Sequence, residues 1–497
     1  APDIAIFEQF NRELANIILH KYGGSMKAEH GTGRQIAPFV KDEWGEEIYQ
    51  IMCELKALAD PHQILNPGVL INPDPACHLK NLKTNPIVEE EVDRCVECGY
   101  CENRCPSRNF TLTPRQRIQV RRSLQRLQQD NQKADYNRLL EQYQFAGLDT
   151  CAVDGMCAVD CPVAINTGDL IKRLRSEQHS KFNNRMAIWV ARHFSLVAGT
   201  IRGLLTIGNA INSVFGSATL YHFTRFIRKG WKGFPLYMQQ LSSPVRIQPQ
   251  KPADYQLVYF STCITRMMGS DTTDKQDSVS VLTELCQRAQ LPLYIPEQTG
   301  GTCCGQLFSS KGFYPAYQEK VNQTIEDCWK WSKAGQIPIV LDVSSCTQSI
   351  RQSAPYLSEE NKKRFEKLQF IDSVELVADW LLPRLTITQP KKEIILHPVC
   401  SLHKMGLTEK FKSIGAACAE KCIVPMQASC CGMAGDRGFY YPELTAAATQ
   451  AEIAEIQHLE PDGCYSSGKT CEMALSEHSG KNYQSILYLL RDVTAPH

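Results

Sequence analysis

The chain has 497 residues, and at roughly 100–200 residues per domain it should hold three or four domains. Lys and Arg number 54 against 53 Asp and Glu, and 43% of the residues are hydrophobic, which excludes a disordered chain and a globally basic nucleic-acid binder. The 22 cysteines stand in clusters, and the first residues lack the basic and apolar regions of a signal peptide. They therefore read as reduced metal ligands of a cytosolic protein rather than as a disulfide framework.

Residues 1–75 form the first expected unit. It reads as mixed α/β, opens on a helical pattern at Ile4–Leu19 and ends in a Pro- and Asn-rich stretch. A helix already under way at Ala1 suggests a chain that begins inside a domain. Residues 22–34 read YGGSMKAEHGTGR, and residues 58–70 read LADPHQILNPGVL. Alone, the Gly-x-Gly would be an ordinary glycine turn. Together the two stretches resemble the C-terminal end of flavin-dependent 2-hydroxyacid dehydrogenases of the vanillyl-alcohol-oxidase fold type. That resemblance implies FAD. It makes His30 the base or substrate-orienting group and Glu29 a pocket or metal-binding carboxylate, and it sets Gly31, Gly33 and Asn66 near the flavin. Oxidising a 2-hydroxy acid removes the hydroxyl proton as hydride leaves the α-carbon, and histidine suits such a transfer near neutral pH. An N-terminal FAD-binding half must then exist, and the same polypeptide is its expected source ahead of a partner chain.

Residues 85–175 hold two cysteine motifs. The first is Cys95-x2-Cys98-x2-Cys101-x3-Cys105-Pro106. Thiolates so close converge on one iron–sulfur cluster, and the fourth cysteine characteristically serves the other cluster. Zinc sites usually take two pairs a dozen or more residues apart, which this run lacks. The second motif runs Cys151, Asp154, Cys157, Cys161, with aspartate in the place of the second cysteine. On the crosswise rule Cys95, Cys98, Cys101 and Cys161 hold a 4Fe-4S cluster, while Cys151, Cys157 and Cys105 hold a second. Asp154 leaves three readings open: a ligand to one iron of a 4Fe-4S cluster, a neighbour of a 3Fe-4S cluster, or an ordinary turn residue before Gly155. The segment resembles the α-helical ferredoxin domains of succinate and glycerol-3-phosphate dehydrogenase iron–sulfur subunits. The arginines between 115 and 126 lack interleaved aromatics and read as a solvated helix face, so no nucleic-acid partner is expected.

Residues 180–250 contain no cysteine. The run Gly203–Thr224 is uncharged, but Asn209 and Asn212 interrupt it and argue against a spanning helix. Flanking arginines with Trp189 and Trp231 suit either an amphipathic helix lying in a lipid interface or a helical linker packed on the lobes.

Residues 254–388 and 389–497 repeat one pattern. A strand ends in Cys263, a second leads to Cys303-Cys304-Gly305, and a third ends in Cys346; Cys400, Cys430-Cys431-Gly432 and Cys471 follow in the second copy. Strands alternating with helices imply parallel βαβ units, duplicated as two α/β lobes with cysteines at strand ends. The lobes resemble the cysteine-rich domain of heterodisulfide reductases. Val343 and Gly468 occupy the places of one further cysteine in that pattern. Four thiols per lobe leave open an iron–sulfur centre, another metal or redox thiols, or cysteines that hold nothing. The other seven cysteines read as core.

The expected fold class is thus multidomain α+β and α/β: a partial flavin-oxidase segment, an α-helical ferredoxin domain and duplicated cysteine-rich α/β lobes. That order resembles the fused flavin/iron–sulfur D-lactate dehydrogenases of bacterial respiration. It implies oxidation of a small D-2-hydroxy acid by FAD, D-lactate before glycolate and D-2-hydroxyglutarate. Electrons would leave singly through the clusters to a quinone. The expected location is peripheral, on the cytoplasmic face of the bacterial inner membrane. The alternative is a non-catalytic electron-transfer subunit of glycerol-3-phosphate dehydrogenase or heterodisulfide reductase type.

Overall fold

The computed structural model describes residues 2–27, 33–82, 85–269, 274 and 276–495. The chain divides into two compact units, 1–86 and 87–497.

The first unit consists of helices and turns, with no strand among the described residues. This corrects the mixed α/β reading, and the apolar spacing gives the reason. Trp44, Ile48, Ile51, Leu55 and Leu58 recur at helical intervals on Val40–Ala59, where a strand would alternate every second residue. All five are exposed. A small core of Ala15, Met26 and Phe39 holds the unit together. Asp60 closes the long helix: it accepts the Ile64 and Leu65 N–H groups at 2.8 and 2.9 Å and pairs with Lys56 at 2.6 Å.

The second unit begins with the cysteine motifs. Between them Thr113 starts the helix Pro114–Gln129 through a reciprocal capping box with Gln116. The helices Lys133–Tyr143 and Thr167–Glu177 pack with it around Ile118, Leu124, Tyr143 and Leu170.

Three helices follow: Lys181–Arg192, Phe194–Phe215 and Thr219–Gly230. The uncharged run 203–224 is therefore not one rod. The second helix ends at Phe215, Gly216 turns with φ 110°, and the third helix leads away. Phe194–Phe215 is long and apolar enough to cross a membrane by length and composition, although Arg202 lies within it.

The lobes repeat one topology. Strands β1 (Leu257–Phe260), β2 (Leu293–Tyr294), β3 (Ile339–Leu341) and β4 (Phe370–Asp372) form a parallel sheet in the order β2-β1-β3-β4. Strands β5 (Lys391–Leu396), β6 (Ala419–Ile423), β7 (Gly463–Ser466) and β8 (Tyr483–Ser485) repeat it as β6-β5-β7-β8. One apolar core runs through both, with Leu282, Leu285 and Leu381 from the first lobe and Phe411, Ile414 and Leu490 from the second. Each such buried side chain contributes about 1.5–3 kcal/mol, so the lobes are held as one block. At their strand ends the Ser344 and Ser467 hydroxyls lie 2.9 Å apart.

Candidate functional site

The two ferredoxin motifs share a backbone as well as a spacing. In the first, Glu97 and Gly99 have φ of 61° and 85°, and a single turn of 3-10 helix, Tyr100–Glu102, carries Cys101. In the second, Val153 and Gly155 have φ of 47° and 73°, and Met156–Ala158 carries Cys157. Left-handed backbone at these glycines bends the chain so that flanking side chains face one point, which an L side chain would strain. Asp154 therefore stands in the structural place of Cys98, in a ligand-type turn.

The thiols meet crosswise. Burial pushes Cys101 up to about 11, and its thiol neighbours are Cys95 and Cys161. Burial raises Cys105, whose acidic neighbours are Cys151 and Asp154. Burial pushes Cys157 up to about 12, with Asp154 and Cys151 beside it. The first set thus joins the last cysteine of the second motif, and the second set joins the last cysteine of the first. Cys98 is exposed. These donors fit iron–sulfur clusters: a buried thiol gives up its proton at a cost that bound iron offsets. Among the described residues no three His, Cys, Asp or Glu side chains gather as tightly as ligands of a single ion do. A cluster makes no such demand, since its thiolates sit on separate irons.

The arginine helix is not a solvated face throughout. Arg117 is fully buried, with its guanidinium 2.8 Å from the Gly147 carbonyl, 2.9 Å from Ser107 Oγ and 3.7 Å from Cys105 Sγ. Arg122 donates to the Val92 and Cys95 carbonyls at 2.8 and 2.9 Å and pairs with Glu97. Both turn inward with Ile118, so the helical period, rather than the charge count, carried the missed signal. Arg175, at the end of the same domain, donates to the Cys151 carbonyl at 2.8 Å and to Ser310 of the first lobe at 2.5 Å.

In each lobe the four predicted cysteines come together at the C-terminal ends of the strands. Cys263 opens a helix after β1, and its sulfur lies 3.6 Å from that of Cys303. Cys304 contacts both Cys303 and Cys346. In the second lobe Cys431 and Cys471 are 2.9 Å apart, and Cys430 lies beside Cys400 and Asp154. Hydrogen bonding to Cys431 and then burial raise Cys471. Val343 and Gly468 cap the helices bearing Cys346 and Cys471, which makes them equivalent positions in the two lobes. Of the seven remaining cysteines, Cys77, Cys286, Cys328, Cys418 and Cys464 are buried, and Cys53 and Cys422 are half-buried.

A cavity of about 660 Å³ joins the second motif to the second lobe; Asp154, Cys400, Cys430, Cys431 and Cys471 all line it. The expected flavin-pocket residues are a different matter. Glu29, His30 and Gly31 lie outside the described residues. Gly33 opens the short helix Gly33–Ile36 with φ 60°, and Asn66 is exposed in a left-handed turn with φ 51°.

Comparison with known families agrees with the order of these parts. Residues 4–70 match the C-terminal domain of FAD linked oxidases, and residues 91–165 match the 4Fe-4S dicluster domain. Residues 257–351 and 394–476 each match the cysteine-rich domain. The chain carries all three domain types. Its cofactors are accordingly FAD and iron–sulfur clusters. Among curated proteins, one of the subunits of the anaerobic glycerol-3-phosphate dehydrogenase of Escherichia coli is 24% identical over 203 residues, 39% of this chain and 50% of that protein. A D-2-hydroxyglutarate dehydrogenase of Haemophilus influenzae is 25% identical over 235 residues, 36% of this chain and 22% of that protein. The chain thus spans about half the length of the first of these relatives and less of the second.

Proposed function

We propose that this chain is the electron-carrying half of a flavoprotein dehydrogenase that oxidises a D-2-hydroxy acid and delivers the electrons singly to a quinone. The observation that carries this is the presence, on one chain, of a flavin-oxidase C-terminal segment and two adjacent iron–sulfur motifs. A flavin takes two electrons as hydride and releases them one at a time, and clusters carry one. Cys95, Cys98, Cys101 and Cys161 hold one ferredoxin cluster; Cys105, Cys151 and Cys157 hold the other. In the flavin pocket His30 accepts the substrate hydroxyl proton or orients the substrate, Glu29 is a pocket or metal-binding carboxylate, and Gly31, Gly33 and Asn66 lie near the flavin. An FAD-binding domain or subunit covers the bare stripe from Trp44 to Leu58, which otherwise leaves five large apolar side chains in water.

Two substrates compete. The Leu-Asn-Pro-Gly closing segment supports D-lactate, and the Haemophilus influenzae relative supports D-2-hydroxyglutarate. The Escherichia coli relative supports a second reading, an electron-transfer subunit with no substrate of its own. Oxidation of a D-2-hydroxy acid panel by the full-length protein, with a quinone analogue as acceptor, separates them. Turnover with one acid and loss of turnover in His30→Ala are expected; absence of turnover with every acid favours the subunit.

A peripheral membrane position on the cytoplasmic face belongs to the same proposal. From Gln178 to Ala253 there is no Asp or Glu, while Lys181, Arg185, Arg192, Arg202, Arg225, Arg228, Lys229, Lys232, Arg246 and Lys251 are all cationic. Leu204, Ile207, Phe215, Phe223 and Phe226 are exposed on the helices of this segment, and Trp231 is exposed just beyond the last of them. Arg192 pairs with Glu319 at 2.9 Å and Arg228 lies 3.9 Å from Glu443; the apolar side chains among the other cations suit an anionic lipid interface.

A further inference from the structure

We propose that Asp154 is a ligand of an iron–sulfur centre in the second lobe, joining Cys400, Cys430, Cys431 and Cys471 across the domain boundary. The inference rests on the reading of this lobe as a cluster site, and it moves Asp154 away from the ferredoxin cluster to which its motif position would assign it.

Three observations carry it. Asp154 lines the same cavity as the four lobe cysteines, whereas Cys105, Cys151 and Cys157 do not line it. Oδ1 of Asp154 accepts the Met156 N–H at 3.3 Å, but Oδ2 is buried and makes no hydrogen bond of good geometry. The position of the lobe's absent cysteine is Gly468, which also lines the cavity, so the lobe presents one thiol donor fewer there and Asp154 is a further donor on the same cavity.

Charge separates the two lobes. In the first, the buried Arg266 lies beside Cys263 and Cys303, and the buried Lys320 lies beside Cys303. Those thiolates have cations of their own. In the second lobe, the residue three past the first cysteine is His403 instead of an arginine, and Lys404 points to the Asp154 carbonyl at 2.9 Å. A carboxylate is added there to four thiols. Lys404 lies in the same cavity and is the nearby cation for this carboxylate, but one ammonium does not balance four thiols and a carboxylate buried together. Iron supplies that charge, with carboxylate oxygen as one harder donor among soft thiolates.

The test uses full-length protein reconstituted anaerobically with iron and sulfide, and reads iron per chain together with Mössbauer spectra. Cys471→Ser should remove one subspectrum and Cys157→Ser a different one. Asp154→Asn, which keeps the side-chain shape, should change the subspectrum that depends on Cys471 and leave the one that depends on Cys157 intact. Asp154→Cys should keep the lobe centre and shift its spectrum. Loss of the Cys157-dependent subspectrum in Asp154→Asn would overturn the proposal, as would a Cys471→Ser protein with undiminished iron. In both cases the remaining ferredoxin signal would leave the dehydrogenase reading standing; wild-type protein without iron would instead remove that reading.

Discussion

The Lys404 ammonium donates to the main-chain carbonyl of Asp154 at 2.9 Å, fastening the helix that begins at Cys400 to the ferredoxin turn. The two residues are 250 positions apart in the chain. The bond holds the second cluster motif against the second lobe.

Removing that donor should loosen the turn without unfolding the domain. In Lys404→Met the carbonyl loses a charged partner, a loss of about 1–3 kcal/mol. Amide hydrogen exchange from Val153 to Cys157 should rise about tenfold or more. Unchanged exchange there would show the contact to be idle.

Arg117 should set the potential of one ferredoxin cluster only. Reduction adds negative charge beside Cys105, and the neighbouring guanidinium favours it. Arg117→Gln should lower that midpoint by about 60 mV for each tenfold change in the one-electron equilibrium. Redox titration followed by EPR should show one signal moving and the other fixed. Equal shifts in both would refute the assignment.

The cationic helices should bind anionic vesicles in a salt-dependent way. Each cation near such a surface is worth about 1 kcal/mol, so Arg225→Gln with Lys229→Gln should weaken binding roughly thirtyfold. Binding to neutral vesicles should change little. If the double variant sediments with anionic vesicles as the wild type does, these helices are only a linker.

Asp372 should make the first lobe sensitive to pH. Burial pushes its carboxyl up to about 6, although Oδ1 accepts the Val374 N–H and the Ser344 hydroxyl, each at 3.0 Å. Its ordinary value is 3.8. The folded state therefore keeps a proton that the unfolded state has released between these values, and this stabilisation is full below about 4 and lost as pH rises through about 6. Asp372→Asn, which can still cap the helix, should flatten the loss of hydrogen-exchange protection around β4 between about pH 4 and 6. An identical slope in the variant would place the sensitivity elsewhere.

Much of this architecture was legible in local spacing. Motifs as tight as Cys95 to Cys105 announce themselves within a dozen residues, and the recurrence of strand, cysteine and Cys-Cys-Gly exposed the duplication. The fourth strands, Phe370–Asp372 and Tyr483–Ser485, are three residues long and leave almost no periodic trace. The inward turn of Arg117 was hidden by its charge, since a guanidinium is ordinarily placed in water unless a buried acceptor is known. The approach of Asp154 to Cys430 was beyond any spacing rule. It depends on how two domains pack, and that is set by side chains such as Arg175 and Lys404 far from either motif.

The exposed row from Trp44 to Leu58 has a practical corollary at the bench. Prepared without whatever ordinarily shields it, this end of the molecule should stick to copies of itself, so apparent size in solution should climb with concentration. Detergent or a single lysine placed at Ile51 should reverse that behaviour while leaving the brown colour of the clusters untouched.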